Sequence, residues 1–161
     1  MKNVILAYGV WIKDGRIFLL ERDVREYNLP WPTVWEVPGG RVDWGENPAD
    51  AAVREFQEET GLHASNPRFL GMTRDDDGSA RRNILYYLVD AKEGHVRLGD
   101  PEHRDWQMIS LDAAARVENL AFTTVAVLHL LRIWGIWDGE IRSRRDDGYV
   151  PDIFLPHKPR H

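Results

Sequence analysis

The sequence predicts a mixed α+β layer fold, with strands enclosing one amphipathic helix and an apolar second helix near the end of the chain. Three observations predict it. β-Branched and aromatic runs bounded by turn residues recur from the N-terminus onward. A helix with start and stop signals spans Asn47–Gly61, and Phe122–Trp137 is an apolar run with helical spacing at Val125, Leu128 and Leu131.

Taken in order, Val4–Ile12 and Arg16–Glu21 read as strands joined in a hairpin at Lys13-Asp14-Gly15. A long loop, Arg22–Thr33, carries Pro30 and Pro32 on either side of Trp31. Trp35–Val37 and Arg41–Val42 read as short strands flanking Pro38-Gly39-Gly40. After the first helix come a strand at Arg68–Thr73, a turn at Asp75-Asp76-Asp77-Gly78, a strand at Arg82–Val89 and another at Trp106–Ser110. The first helix has the clearest signals. Asn47 suits the N-cap, Pro48 the first helical position, Asp50 the first turn and Gly61 the C′ position. Ala49, Ala52, Val53, Phe56 and Thr60 form its core-facing stripe.

A chain of 161 residues is long enough to bury a core within one domain. The reading places that domain in residues 1–138 and a C-terminal arm in 139–161. Without cysteine the chain has neither disulfides nor thiolate metal sites. The N-terminal apolar run is broken by Gly9, lacks a small-residue cleavage site and leads into a turn, so it reads as a strand. Phe122–Trp137 is interrupted by His129 and Arg132 and is too short to span a bilayer, so the expected location is the cytoplasm with no membrane partner. A net charge of −5 with no dominant basic cluster argues against a nucleic-acid polymer as partner. An anionic small molecule fits if a cation mediates the contact.

Within the first helix, REFQEETG sets Glu55, Glu58 and Glu59 three and four residues apart, on one stripe. One reading is a solvated acidic face. Such a face ordinarily mixes signs, because Glu–Lys pairs at this spacing stabilise a helix by about 0.2–0.5 kcal/mol; here like charges repel. The other reading is a hard divalent cation, Mg²⁺ or Mn²⁺, bound through carboxylate oxygens together with substrate phosphates.

The surrounding residues separate these readings. From Gly40 the chain runs GRVDWGENPADAAVREFQEETGL. Gly40, Glu46, Arg54, Glu55, Phe56, Glu58, Glu59, Gly61 and Leu62 fall at every fixed position of the signature of the Nudix (MutT-like) hydrolases, and Trp35–Gly40 resembles the lead-in to it. The resemblance covers roughly residues 3–137. It implies the Nudix fold, mixed sheet layers packed between helices in an α/β/α sandwich. It also implies Mg²⁺-dependent hydrolysis of a nucleoside diphosphate linked to another group, by water attack on phosphorus. Carried over by position, it implies metal ligands at Glu55, Glu58, Glu59 and the Gly40 carbonyl, with one of the glutamates also able to take a proton. Gly39, Glu46, Arg54 and Gly61 are then structural, Arg54 pairing with nearby carboxylates and Glu46 fixing the loop into the helix.

Outside the signature, Glu102 resembles a position from which some relatives supply a base or a further metal ligand; the other reading is a loop carboxylate. His103 reads as a surface or packing residue. Arg22 reads either as a phosphate contact or as a surface ion pair. Trp35 and Phe122, like Trp31, offer aromatic faces for a base or for the core. In the arm, Tyr149, Val150, Ile153, Phe154 and Leu155 are apolar enough to dock on this chain or on a second copy, so a homodimer is one expectation.

The function expected first is hydrolysis of a nucleoside triphosphate, including an oxidised one, to the monophosphate and pyrophosphate. The alternative is cleavage of ADP-ribose or another nucleoside diphosphate sugar. ADP-ribose-cleaving relatives tend to carry a proline about fifteen residues beyond the signature, where this chain has Asp76-Asp77-Gly78. A third reading, nucleotide binding without catalysis, sits poorly with an intact set of signature glutamates.

Overall fold

The computed structural model describes residues 2–76, 78–142 and 152–155. Two sheets share the chain's first half. Strand β1 (Lys2–Val10) lies in one sheet, whereas β2 (Ile12–Lys13) and β3 (Arg16–Asp23) form a hairpin in the other. The single strand expected over Val4–Ile12 is therefore two, because the chain turns at Trp11. Its carbonyl accepts the Phe18 N–H at 3.1 Å. The hairpin turn has positive φ at both central residues, 53° at Asp14 and 72° at Gly15, as a type I′ turn demands.

In the second sheet β3 pairs antiparallel with β4 (Thr33–Glu36) and with β8 (His103–Ser110). The first sheet runs β5 (Gly39–Arg41), β1, β7 (Ala80–Ala91), β6 (Ala64–Asp76), β9 (Asp152–Phe154). Its β1–β7 pairing is parallel and the others are antiparallel. Strand β6 is much longer than the expected Arg68–Thr73. The register shifts between Ser65 and Arg68 and again between Phe69 and Gly71. These bulges admit Asn66 (φ 56°) and Pro67, which locally read as a break.

Strand β3 is buried on both faces. Ile17 and Leu19 join Ile84 and Tyr86 of β7 and Leu128 and Leu131 of helix α3 (Phe122–Ile133) in the main core. Phe18 and Leu20 face helix α1 (Pro48–Thr60), whose Phe56 ring meets Trp11 edge-on at 6.3 Å and Phe18 at 5.9 Å. Further along α1, Ala51 and Ala52 pack on Ala7 and Tyr87. Helix α3 stops at Ile133, short of the expected Trp137, because Gly135 takes a left-handed φ of 72°. A short helix, α2 (Leu111–Ala114), was not expected; the Ser110 hydroxyl caps it by accepting the Ala113 N–H at 3.1 Å. No described helix is long and apolar enough to cross a membrane.

Of the C-terminal extension, Ile153 and Leu155 pack against this chain's own main core, and the Arg74 guanidinium lies 5.1 Å over the Phe154 ring. Tyr149, Val150 and most of the arm lie outside the described residues.

The segment between β7 and β8 runs across the C-terminal end of α1. The Arg97 N–H donates to the Thr60 carbonyl at 2.8 Å and the Gly99 N–H to the Glu59 carbonyl at 3.3 Å. These bonds satisfy carbonyls a helix end leaves open, and they deliver Asp100 and His103 to the face of α1 that carries Glu59. The approach is close: a methyl carbon added at Gly99 would lie 1.9 Å from the Glu58 carbonyl oxygen. Gly99→Ala is therefore expected to cost about 1–3 kcal/mol, the usual range for forced overpacking, read as a lower urea midpoint. A midpoint equal to that of the wild type would contradict this role for Gly99.

Candidate active site

Helix α1 starts where the sequence signals it. The Asn47 side chain accepts the Ala49 N–H at 2.9 Å, and Gly61 closes the other end at φ 72°. This fixes the helix across β5 and β1, where Tyr8 is in register with Gly39 and Ala7 with Gly40. The glutamates and the glycine pair then come together. A methyl carbon at Gly40 would lie 2.6 Å from the Glu55 carboxyl carbon, so only glycine lets that carboxylate rest on the backbone. The Gly39 N–H donates to Glu59 Oε2 at 3.0 Å.

Arg54 binds the carboxylates on the outer side. Its Nε and Nη2 meet the two oxygens of Glu46 at 2.8 and 3.0 Å, and its Nη1 meets Glu55 Oε1 and Glu58 Oε2, each at 3.1 Å. Nη2 also donates to the Arg41 carbonyl at 3.1 Å, next to Gly40. Hydrogen bonding to Glu46 and the charge of Glu55 raise the guanidinium pKa further. The same bond from Arg54, with the Asp43 N–H, lowers that of Glu46. Part of the repulsion between Glu55 and Glu58 is thus offset within the protein. Glu58 itself is largely exposed.

Glu59 has no such partner. It is 6% exposed, and burial, with the nearby charge of Glu36, pushes its carboxyl up to about 9 despite the Gly39 hydrogen bond. Burial also raises Glu55, against the pull of Arg54. A carboxyl group held neutral like that of Glu59, in an oxygen-rich pocket, suits a divalent cation, whose charge would restore its ionised form. Glu59, Asp100 and a ring nitrogen of His103 come within 4.8 Å of one another, so the acidic group able to hold an ion extends beyond α1.

A second polar cluster adjoins this one. Arg22, at the end of β3, forms ion pairs with Glu36 and Glu102, and its Nη2 lies 3.8 Å from Asp100. His103 is buried in this cluster, with Nε2 2.9 Å from Glu36 Oε1 and Nδ1 without a hydrogen-bond partner among the described residues. Glu102 stands half-exposed on the outer side of Arg22. Glu36, Asp100 and His103 were not among the residues singled out for the site. Glu36 left a faint signal, an acid within a strand otherwise fit for burial. Asp100 and His103 depend on where the loop over α1 comes to rest, which has no local sequence signal.

The glycine pair opens onto a cleft of about 560 Å³, lined by Leu6, Tyr8, Val34, Gly39, Gly40, Arg41 and Phe122, and reached by Arg22 and Glu36. Tyr27 and Leu29 form its outer rim. Phe122 lines the cleft. Trp35 does not: it points from the opposite face of β4 to Val34 and Glu36 and packs partly buried against the main core.

The raised Glu59 pKa sets a sign for stability. Between its ordinary value of 4.5 and about 9 the folded, metal-free protein holds a proton that the unfolded chain has released, so stability falls as pH rises through that window. In EDTA, denaturation midpoints are expected to decline from pH 5 to pH 9, and Glu59→Gln is expected to flatten the decline. Equal slopes for the two proteins would contradict the shift.

A family model described as NUDIX domain matches residues 3–131. Over 94 residues the chain is 33% identical to an ADP-ribose pyrophosphatase of Methanocaldococcus jannaschii, covering 57% of this chain and 53% of that protein. Over 88 residues it is 36% identical to an asymmetrical bis(5'-nucleosyl)-tetraphosphatase of Rattus norvegicus, covering 52% of this chain and 60% of that one. The chain thus spans little more than half the length of these curated relatives. The crystal structure of a MutT NUDIX hydrolase from Burkholderia pseudomallei superposes with a TM-score of 0.70 at 26% identity, covering 81% of this chain and 99% of that one. With every fixed position of the signature present between Gly40 and Leu62 and the family model matched across most of its length, the chain belongs to the Nudix family.

Proposed function

We propose that the protein hydrolyses a phosphoanhydride bond of a nucleoside triphosphate, releasing the monophosphate and pyrophosphate, with Mg²⁺ as its metal. The observation that carries this reading is the meeting of Glu55 and Glu59 with Gly39 and Gly40 at the floor of a largely apolar cleft. The cleft gives a base an apolar wall at Val34 and Phe122, and the glutamates stand where its phosphates would end.

The donor set fits Mg²⁺: Glu55, Glu58, Glu59 and the Gly40 carbonyl offer hard oxygen atoms, and Glu59 is a buried carboxyl that lacks a cation of its own. Bound there, the ion supplies neutralisation of phosphate charge and a more acidic water. The chain does the rest by positioning. The Gly39 N–H orients Glu59, Arg54 ties Glu46, Glu55 and Glu58 to the loop that enters α1, and Arg22 holds Glu36 and Glu102 in place. Water oxygen bonds to phosphorus, the P–O bond to the leaving pyrophosphate breaks with its electron pair, and a carboxylate of this group takes the water proton.

A second reading, cleavage of a nucleoside diphosphate sugar, is favoured by the relative named ADP-ribose pyrophosphatase. A cavity of about 430 Å³ also shares Tyr27 with the cleft and could take a second moiety. A panel of nucleoside triphosphates and nucleotide sugars with Mg²⁺ in ¹⁸O-water separates the two by product and by label position. Release of pyrophosphate supports the first, and release of a sugar phosphate with a nucleoside monophosphate supports the second. Glu58→Gln and Glu59→Gln are each expected to lower turnover by about two orders of magnitude or more, with an unchanged circular dichroism spectrum. Near-normal turnover in both would contradict the assignment.

A further inference from the structure

We propose that Tyr8 is a substrate-binding residue, its hydroxyl donating a hydrogen bond to a non-bridging phosphate oxygen of the nucleotide where the cleft meets the glutamate cluster. This rests on the nucleotide-hydrolase reading above and adds a residue the signature does not contain.

The alternation of β1 places Tyr8 beside Leu6 on the cleft wall, while Ala7 between them turns to α1. The Tyr8 ring covers Gly39, the residue whose N–H holds Glu59: a methyl carbon at Gly39 would lie 2.3 Å from Tyr8 Cδ1. On its other flank the ring is fixed by Tyr86, with centroids 5.9 Å apart, and the Tyr86 hydroxyl is itself engaged with Thr73 Oγ1 at 3.0 Å. The Tyr8 ring is therefore clamped at the border between apolar cleft and carboxylates. Its hydroxyl has no hydrogen-bond partner among the described residues, yet it is not one of the sealed polar atoms of the interior. A donor so placed is left for a ligand.

In the reading above the phosphates end beside the glutamates, so a phosphate oxygen comes within reach of this hydroxyl, its charge offset by the metal ion and not by the carboxylates around the ring. Arg22, which reaches the cleft, is committed to Glu36, Glu102 and Asp100. Burial, then Glu36, Tyr86 and Glu59, raise the phenol's pKa well above its ordinary value, so the group keeps its proton. A neutral donor here contacts phosphate without adding a positive charge to compete with a metal ion for Glu59. A second arginine at this position would pair with the carboxylates instead.

The test is Tyr8→Phe, which removes one oxygen and keeps the clamped ring. Kinetics are measured on the best substrate of the Mg²⁺ panel, and binding by calorimetry for ADP, GDP, CDP and UDP against their nucleosides. A hydrogen bond to a charged group, lost equally from ground and transition states, is expected to raise KM about 10- to 100-fold with much less change in kcat. Diphosphate affinity should fall by a similar factor and nucleoside affinity should hold. Unchanged KM and diphosphate affinity would overturn the proposal, and so would an equal loss for nucleosides, which would place the contact on base or ribose. Wild-type turnover with an unaffected Tyr8→Phe variant would sink only this assignment. Absence of both turnover and nucleotide binding in the wild type would sink the hydrolase reading with it.

Discussion

The structure depends on one constraint: Glu59 is a carboxyl group buried beside other carboxyl groups, with a single backbone N–H to hold it. An isolated charge in such a place costs several kcal/mol unless a cation meets it. The folded protein therefore holds the group neutral. Arg54 serves the outer glutamates and Arg22 serves Glu36 and Glu102, so both nearby guanidinium groups are spent before Glu59 is reached. A cation bound at the destabilised carboxyl would relieve a cost the fold already carries.

Close backbone approach is what makes the arrangement possible. Gly40 lets Glu55 rest on β5, Gly39 leaves room for the Tyr8 ring, and Gly99 lets the loop from β7 lie on the last turn of α1. Each glycine removes a side chain at a point where two elements carrying polar groups must touch. The hydrophobic layers on either side, β3 with α3 and β3 with Phe56 of α1, supply the rigidity against which these contacts are held.

Much of this was legible in the sequence, for identifiable reasons. Helix α1 carries its signals locally, in Asn47, Pro48 and Gly61, and its boundaries emerge as the sequence predicts. The acidic stripe, the fixed signature positions and the strand–turn pattern of the hairpin are likewise local. What the sequence hid is non-local or compensated. Strand β6 runs through Pro67 because bulges absorb it, and Trp11 divides what reads as one strand between two sheets. The burial of Glu59 on the core-facing stripe of α1, and of His103 beside Glu36, follows from a loop whose resting place no short segment encodes. Trp35 and Phe122 look alike as aromatic candidates in sequence; strand alternation sends one to the core and helix position sends the other to the cleft.

The central claim is that the glutamates of α1 gather around a metal ion delivered with a nucleotide. Anomalous diffraction from crystals soaked in Mn²⁺ and a slowly hydrolysed nucleotide analogue addresses it directly. The account predicts a manganese peak in contact with carboxylate oxygens of Glu55, Glu58 and Glu59, with Glu58 drawn away from Arg54 and phosphate oxygens completing the shell. Ordered nucleotide in the cleft with no manganese at those side chains, and Glu58 still on Arg54, would contradict it.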